Sequence, residues 1–308
     1  MPDRVRWVAL FSGQGGQRAS HVAPMRAMLS PELHEAWMRA LPGIVADDLD
    51  DEALARNRVA QPTLVAFELA AFARIACDVP PVLVAGYSVG EVAACAAAGG
   101  MQSGDAVALA ATRARLMDEA VGVPAGLAAV LGLTERDLAP MCVRHGVAVA
   151  IRNGPRHFVI GGIESPLEAF IHDALAAGAT RACRLAVNTP AHTPLLASAV
   201  TKLADALRPL ARGPLRIPAL AGIDGSRVRT SEDAIAALSR QIATTLDWAA
   251  CMDVVAESQP DAVLEIGPSD ALARMFADAK PGIAVRALAE FKEPTAAVAW
   301  LSRQRRTA

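Results

Sequence analysis

Residues 83–94 read LVAGYSVGEVAA, and this short stretch decides how the rest of the chain is interpreted. A continuous apolar run ends at Gly86, and an alanine-rich run typical of a helix begins at Gly90. Continuous apolar runs of this length are typical of strands in a parallel sheet that is covered on both faces. The stretch therefore predicts a strand, a sharp turn that carries Ser88, and a helix.

The Gly-x-Ser-x-Gly pattern at this turn is typical of a nucleophilic serine. Glycines two residues before and after the serine remove side chains that would collide with the neighbouring strand and helix. The serine hydroxyl is then presented outward, and the N–H groups that begin the helix can stabilise a negative oxygen beside it. The placement between a strand and a helix favours a catalytic Ser88 over a glycine-lined turn with an incidental serine.

A serine nucleophile needs a general base, and histidine is the usual one because its pKa lies near neutrality. The chain has six histidines. His192, in NTPAHTPLL, lies between two prolines where the chain leaves a predicted subdomain and re-enters the larger domain. A loop at such a hinge can bring its imidazole to Ser88, so His192 is the predicted base. The others are assigned to helical surroundings or, for His157, to the start of a strand.

Composition and charge exclude several classes of function. The 308 residues contain 30 Lys and Arg against 32 Asp and Glu, so no basic surface is expected and nucleic acid is not a predicted partner. No stretch approaches the ~18 uncharged apolar residues of a membrane span, and we expect no signal peptide and a cytoplasmic location. The five cysteines lack a Cys-x-x-Cys pair, which predicts buried, reduced thiols and no metal site.

The order of the predicted elements indicates two parts. Residues 1–125 alternate strand and helix, as in an α/β domain with a parallel sheet, and the alternation returns over 190–308. Residues 126–189 have the βαββαβ order of a ferredoxin-like unit. The predicted fold class is therefore α/β, with a large α/β-hydrolase-like domain built on a parallel sheet and an inserted, small ferredoxin-like subdomain.

A glycine-rich loop, FSGQGGQ at residues 11–17, follows the first predicted strand. Gly13 and Gly15 resemble the start of a dinucleotide fingerprint, but the third glycine position is occupied by Arg18. We therefore expect no dinucleotide cofactor. The loop is instead expected to donate a backbone N–H from Gln14 to an oxyanion.

Eight blocks along the chain resemble, in the same order, those of malonyl-CoA:acyl-carrier-protein transacylases. They are FSGQGGQ, QPTL, GYSVGEVAA, TRARLMDEA, NGP, NTPAHTPLL, RQIATTLDW and LEIGP. The resemblance covers nearly the whole chain. It implies an acyltransferase without a permanently bound cofactor that transfers a malonyl group from malonyl-CoA to the phosphopantetheine-type thiol of an acyl carrier protein through an acyl-serine.

By position, the resemblance implies roles for eight residues. They are the nucleophile Ser88, the base His192, the oxyanion-hole donors Gln14 and Val89, the carboxylate ligand Arg113, and Gln241, Asn153 and Gln61 as groups that orient His192 or line the site. A guanidinium can hold a carboxylate through two parallel hydrogen bonds, which gives Arg113 an independent physical rationale. Without the resemblance, Arg113 would be assigned to a solvated helix face beside Arg115.

The chain departs from the usual family pattern at three positions. Tyr87 precedes the nucleophile where histidine is usual, Ala191 precedes the base, and Ser12 replaces a proline. The Gly-Tyr-Ser-Val-Gly-Glu form resembles the transacylase (epsilon) subunit of malonate decarboxylase, whose partner would be a dedicated carrier subunit. This is our first interpretation, and a transacylase of fatty acid synthesis is the alternative.

Two readings from other classes remain open at this point. A serine thioesterase or esterase of the α/β-hydrolase type shares the serine turn, but it needs an acid between serine and histidine in the chain, and none stands out. The second reading is a non-catalytic subunit that only binds the carrier protein. The joint presence of Ser88, His192 and Arg113 argues against it.

Overall fold

The computed structural model describes residues 5–45, 48–77 and 79–304. Its strands are β1 Trp7–Phe11, β2 Leu83–Gly86, β3 Ala125–Leu131, β4 Ala148–Gly154, β5 His157–Ile163, β6 Arg181–Arg184, β7 Pro214–Leu220, β8 Arg227–Thr230, β9 Leu246–Asp247, β10 Ala262–Ile266 and β11 Ala284–Ala287. Its helices are α1 Val22–Met28, α2 Pro31–Ala40, α3 Asp51–Ala55, α4 Asn57–Ala76, α5 Gly90–Ala97, α6 Ser103–Ala120, α7 Glu135–His145, α8 Glu164–Ala176, α9 Ala197–Leu207, α10 Ser231–Gln241, α11 Trp248–Glu257, α12 Ala271–Ala279 and α13 Pro294–Ser302.

The larger sheet has the strand order β11-β10-β1-β2-β7-β8 and is parallel except for β8. Its central strands β1, β2 and β10 are buried along their whole length, which is why they are apolar runs in the sequence. Phe11 pairs with both Gly86 and Ile266, so the carboxyl ends of these three strands lie side by side. The loops that follow them therefore meet at one edge of the sheet.

Helix α4 is a core helix of this larger part. By length and composition alone it could cross a membrane, so the expectation that no stretch would qualify is wrong for this helix. However, 78% of its most apolar window is buried inside the fold, where it packs against α5 and α6. Because its apolar side chains are covered by protein, α4 needs no lipid to bury them.

The smaller sheet has the order β6-β3-β5-β4, which together with α7 and α8 gives the predicted βαββαβ, ferredoxin-like arrangement. Leu138, Phe158 and Phe170 belong to a core of its own. A fifth strand, β9, was not predicted: it follows α10 and pairs in parallel with β4. The larger part of the chain therefore supplies an edge strand to the smaller sheet. The domain boundaries proposed from the sequence stay predictions, and the ends of the chain at 1–4 and 305–308 lie outside the described residues.

Several other elements differ from the sequence-based prediction. The segment SEDAIAALSRQIATTL at 231–246 predicts one continuous helix. Helix α10 ends at Gln241, because the carbonyls of Gln241 and Ile242 leave the helix and accept hydrogen bonds from His192 instead. The segment RACRLAV at 181–187 predicts a strand, and in the structure β6 ends at Arg184. The structure also contains strand β8 and helices α3, α11 and α13, which the sequence did not predict. Of the cysteines, Cys77 is exposed and not buried as expected.

Helix α7 begins with a reciprocal cap that can be tested by substitution. Asp137 N–H donates to Thr134 Oγ1 at 3.4 Å, and Thr134 N–H donates to the Asp137 carboxylate at 2.9 Å. We expect Thr134→Ala to lower the free energy of unfolding by about 1 kcal/mol, measured by urea titration, because the Asp137 N–H loses the hydroxyl as acceptor and the Asp137 carboxylate loses it as a donor at 2.6 Å. Thr201→Ala, on the exposed face of α9, is the control and should change it by less than about 0.5 kcal/mol. Equal effects would contradict a capping role.

Candidate active site

Ser88 lies at the turn between β2 and α5 with a backbone φ of 57°. This is the left-handed conformation, which residues other than glycine rarely adopt. The flanking glycines permit this turn. A Cβ on Gly86 would lie 2.2 Å from the carbonyl carbon of Gly90, and a Cβ on Gly90 would lie 2.4 Å from the carbonyl oxygen of Phe11. Only glycine fits at either position, so the turn predicted from the Gly-x-Ser-x-Gly pattern has the expected steric basis.

His192 contacts the serine directly, since its Nε2 lies 2.8 Å from Ser88 Oγ. Its Nδ1 lies 2.7 Å from the backbone carbonyl of Gln241. A carbonyl can only accept a hydrogen bond, so Nδ1 carries the proton and Nε2 is left to accept the proton of the Ser88 hydroxyl. The main-chain N–H of His192 donates to the carbonyl of Ile242 at 2.8 Å, which fixes the loop as well as the ring.

Burial keeps the His192 imidazole neutral. Burial first and the nearby positive charge of Arg113 second lower the pKa of His192, and the Gln241 carbonyl opposes both effects; the net value is about 3. The imidazole is therefore unprotonated at neutral pH and available as a base.

Arg113, on α6, is 1% exposed and lies against the serine. Its Nη1 donates to Gln61 Oε1 at 2.8 Å, its Nη2 donates to Gln241 Oε1 at 2.9 Å, and Nη2 lies 3.5 Å from Ser88 Oγ. The assignment to a solvated helix face therefore does not hold for Arg113, whereas Arg115 is exposed and pairs with Glu119 at 2.9 Å. Burial lowers the pKa of Arg113 to about 10, so its guanidinium stays charged at neutral pH.

The predicted oxyanion donors flank the serine. Val89 is the residue after Ser88, and Gln14 lies in the loop after β1, whose end pairs with the end of β2. Within the described part of the chain, neither backbone N–H has a hydrogen-bond acceptor. The Gln14 side chain accepts from Gln61 Nε2 at 3.1 Å, so Gln61 connects this loop to Arg113. Both amides are free to receive an oxyanion.

Glu91 belongs to the same cluster and was missed in the sequence. It lies in the first turn of α5, is 5% exposed, and its Oε2 accepts from Gln241 Nε2 at 2.6 Å and from Gly222 N–H at 3.1 Å. Burial raises the pKa of Glu91 to about 7, while these two donors and Arg113 lower it. The available signal was an acidic residue placed directly after Gly90 in a helix that is otherwise apolar.

Tyr87 and Asn153 lie on the walls of the site. The Tyr87 ring meets Trp248 edge to face, with centroids 5.3 Å apart, and covers Gly13, where a Cβ would lie 2.7 Å from Tyr87 Cδ1. Asn153 Nδ2 lies 3.4 Å from His157 Nε2. Among the described contacts Asn153 has none with the catalytic pair, so it lines the site and does not orient the base. His157 also lines the cleft, although the sequence assigned it only to the start of a strand. The available signal was its spacing of two residues from Val159, which places both side chains on the same face of β5.

A cleft of about 810 Å³ opens at the catalytic pair, and it is lined by Ser88, His192, Gln14, Tyr87 and Asn153. One wall is formed by the loops after β1 and β10, and the other by β3, β4 and β5 of the smaller sheet. A ligand in the cleft therefore contacts both parts of the chain. Over residues 5–45, 48–77 and 79–304, no group of three or more His, Cys, Asp or Glu side chains has a geometry that would hold a metal ion.

The family model described as acyl transferase domain matches residues 8–289. The chain belongs to the acyl transferase family. The malonyl CoA-acyl carrier protein transacylase of Mycobacterium tuberculosis is 31% identical over 294 residues, which are 91% of this chain and 95% of that protein.

Two solved structures extend the likeness to the fold of this acyltransferase. The malonyl CoA-acyl carrier protein transacylase of Coxiella burnetii has a TM-score of 0.87 at 25% identity and covers 97% of this chain and 100% of its own. PlMCAT, a malonyl-transacylase in complex with AntF, a type II polyketide acyl carrier protein, has a TM-score of 0.86 at 26% identity and covers 96% and 99%. The predicted α/β fold class, with its ferredoxin-like subdomain, is confirmed, and so is the prediction of an acyltransferase enzyme.

The low pKa of His192 gives this acyltransferase a testable pH profile. A histidine of ordinary pKa would be mostly protonated at pH 5, and a reaction that needs its neutral form would slow about 30-fold between pH 8 and pH 5. We expect no such loss here, because His192 protonates only near pH 3. The measurement is the rate at which a fluorophosphonate labels Ser88, followed by intact mass, with Ser88→Ala as the unlabelled control. A decline centred near pH 6.5 would contradict the assignment.

Proposed function

We propose that this acyltransferase transfers a malonyl group from malonyl-CoA to the phosphopantetheine-type thiol of an acyl carrier protein through an acyl-Ser88 intermediate. One observation carries the proposal: a guanidinium atom of Arg113 lies 3.5 Å from the Ser88 hydroxyl, which itself lies 2.8 Å from His192 Nε2. A buried cation beside an activated serine suits an acyl group that carries a second, free carboxylate.

In the first half-reaction, Ser88 Oγ attacks the thioester carbonyl while its proton passes to His192 Nε2. The resulting oxyanion is stabilised by the N–H groups of Gln14 and Val89, each worth about 3 kcal/mol in related sites. Collapse of this intermediate breaks the carbon–sulfur bond, and the proton on His192 leaves with the CoA thiol. The Gln241 carbonyl stabilises the imidazolium that exists between these two steps.

In the second half-reaction, the carrier thiol attacks the ester carbonyl of acyl-Ser88. His192 accepts the thiol proton and returns it to Ser88 Oγ, which regenerates the free enzyme. Arg113 holds the malonyl carboxylate throughout, so that the acyl carbonyl stays at the oxyanion donors between the two steps. No cofactor enters this scheme. The complex of PlMCAT with AntF supports a carrier protein as the acceptor.

We further propose that the chain works as the transacylase subunit of a malonate decarboxylase, on the strength of its Gly-Tyr-Ser-Val-Gly-Glu sequence. The names of the relatives favour a second setting at least as well, because they are malonyl CoA-acyl carrier protein transacylases, a function that fits fatty acid synthesis. The two settings are distinguished by offering the enzyme, separately, the purified carrier subunit of a malonate decarboxylase and the purified acyl carrier protein of fatty acid synthesis. The carrier that belongs to the true setting should be malonylated at least tenfold faster than the other. A cytoplasmic location stays a prediction in either case.

The esterase alternative is disfavoured by the group that holds the histidine. In the site it is the Gln241 carbonyl, and not an acid, that accepts from His192 Nδ1. The two functions differ in their acceptor. Incubation of the malonyl-enzyme with and without a carrier protein decides between them, since release of malonate to water at the same rate in both would favour a hydrolase. A non-catalytic subunit would bind carrier without forming any malonyl-enzyme.

The acyl-serine can be tested directly by mass. We expect wild-type protein incubated with malonyl-CoA to gain one malonyl group, and Ser88→Ala to gain none, because within the described ranges the Ser88 hydroxyl is the nucleophile hydrogen-bonded to the His192 ring. Ser269→Ala, a serine on the wall of the same cleft, serves as the matched control and should still be acylated. An adduct that persists in Ser88→Ala would rule out the proposed intermediate.

The carboxylate-binding role of Arg113 predicts a substrate-dependent loss. Arg113→Lys should lower kcat/KM for malonyl-CoA by about 10- to 100-fold, because one point charge replaces a planar pair of donors, and it should change acetyl transfer much less. Arg115→Lys, two residues along the same helix and exposed, is the control and should leave both rates unchanged. Equal losses for malonyl and acetyl substrates would assign Arg113 to the fold and not to the substrate.

A further inference from the structure

The positive charge of Arg113 has no directly paired carboxylate among the described residues. Among the described residues no carboxylate lies within ion-pair distance of its guanidinium, although the side chain is only 1% exposed. Glu91 is the acid whose negative charge acts on Arg113, and one amide separates the two: Gln241 Nε2 donates to Glu91, and Gln241 Oε1 accepts from Arg113. The counter-charge is thus separated from Arg113 by one side chain.

This separation has a consequence for a bound carboxylate. A carboxylate paired directly with Arg113 would occupy the donors that a substrate needs, whereas with Glu91 one side chain away the Nε–H has no acceptor among the described residues and Nη1 keeps one N–H beyond the one given to Gln61. However, a substrate carboxylate would bring a second negative charge to a buried site that holds a single positive one. In a medium of low dielectric, like charges disfavour each other's ionisation, and the group that can take up a proton is driven to do so.

We propose that Glu91 takes up one proton when an acyl group with a free carboxylate binds Arg113, so that binding of such acyl groups is coupled to pH. The inference rests on the proposed function, since it needs Arg113 to hold the substrate carboxylate. The proton comes from solvent and no covalent bond is made or broken elsewhere. Glu91 Oε2 already accepts from Gln241 and Gly222, and Oε1 remains as the atom that is protonated without loss of those two bonds.

The charged and titratable groups around Glu91 support this choice of proton acceptor. Arg113 favours its ionised form and Asp224 disfavours it, and the pKa of Glu91 lies at about 7, so it changes state near neutrality. The thiols of Cys95 and Cys251 also face it, but burial raises both thiol pKa values, to about 12 for Cys95, and they stay neutral.

His192 is the remaining titratable group near Arg113. Its pKa of about 3 keeps it uncharged over the range in which Glu91 titrates. Arg113 itself keeps its proton, with a pKa of about 10. Glu91 is therefore the group of this cluster whose charge can respond to a bound carboxylate between pH 6 and pH 9.

The direction of the effect follows from linkage. Below pH 7 Glu91 is already protonated and a carboxylate binds without uptake of a proton. Above pH 7 each bound carboxylate requires one proton, so the dissociation constant rises by up to about tenfold per pH unit. An acyl-CoA that lacks the carboxylate brings no second charge and should show no such slope.

Calorimetry on the Ser88→Ala protein measures this coupling without turnover. At pH 8, in two buffers of different ionisation enthalpy, malonyl-CoA should take up close to one proton and acetyl-CoA none. The dissociation constant for malonyl-CoA should rise several-fold from pH 7 to pH 8. Acetyl-CoA shares the CoA phosphates, so it controls for their titration.

A second variant separates the charge of Glu91 from its hydrogen bonds. In Ser88→Ala/Glu91→Gln the amide oxygen can accept from the same two donors while the titratable charge is lost, so proton uptake and the pH slope should both vanish. Glu257→Gln in the Ser88→Ala background removes an exposed acid and should retain both. Unchanged melting temperatures check that the variants are folded.

The outcomes separate this inference from the proposed function. If malonyl-CoA binds Ser88→Ala with no proton uptake, or if Glu91→Gln retains the uptake, the coupling is wrong while malonyl transfer stands. If wild-type protein forms no malonyl-Ser88 at any pH, the proposed function is wrong and this inference with it. Uptake of a proton with acetyl-CoA as well would also overturn it, because the signal would not depend on the carboxylate.

Discussion

The hydrogen bonds of Gln241 hold the catalytic groups in one arrangement. Its backbone carbonyl accepts from His192 at 2.7 Å, and its side-chain oxygen accepts from Arg113 at 2.9 Å. Its side-chain nitrogen donates to the carbonyl of Ser88 at 2.9 Å and to Glu91 at 2.6 Å. One residue at the end of α10 therefore sets the tautomer of the base, the direction of the guanidinium and the position of the strained turn. It is fully buried, so none of these bonds competes with water.

The site also stores conformational strain. Ser88 and His192, the two partners of the catalytic contact, both have positive φ, at 57° and 63°. Such conformations cost about 1–3 kcal/mol each and persist only where the surroundings impose them. At Ser88 the close contacts at Gly86 and Gly90 impose the turn, and at His192 hydrogen bonds from both the ring and the main chain to the end of α10 do so. Packing of the larger part thus offsets the strain that brings Oγ and Nε2 together.

The sequence was sufficient where the constraint is local. The steric need for glycine at 86 and 90 predicted the turn. The central strands of the larger sheet could be predicted from their continuous apolar runs, because both faces of that sheet are buried. It was insufficient where the constraint comes from distant residues. Nothing near Gln241 indicates that its helix must end there, because the acceptor is needed by His192, 49 residues away. Glu91 is likewise explained only by Gln241, 150 residues along the chain.

The segment after Gln241 links the catalytic cluster to the opposite wall of the cleft. Thr245 Oγ1 donates to the carbonyl of Val149 at 2.7 Å, and β9 then pairs with Ile151 and Arg152 of β4. Within six residues, the chain that holds His192 and Arg113 becomes part of the sheet that carries Asn153. A shift of the smaller sheet would therefore pull on the end of α10. Because a ligand in the cleft touches both walls, its fit against the smaller sheet and the alignment of Ser88 with His192 depend on the same short piece of backbone.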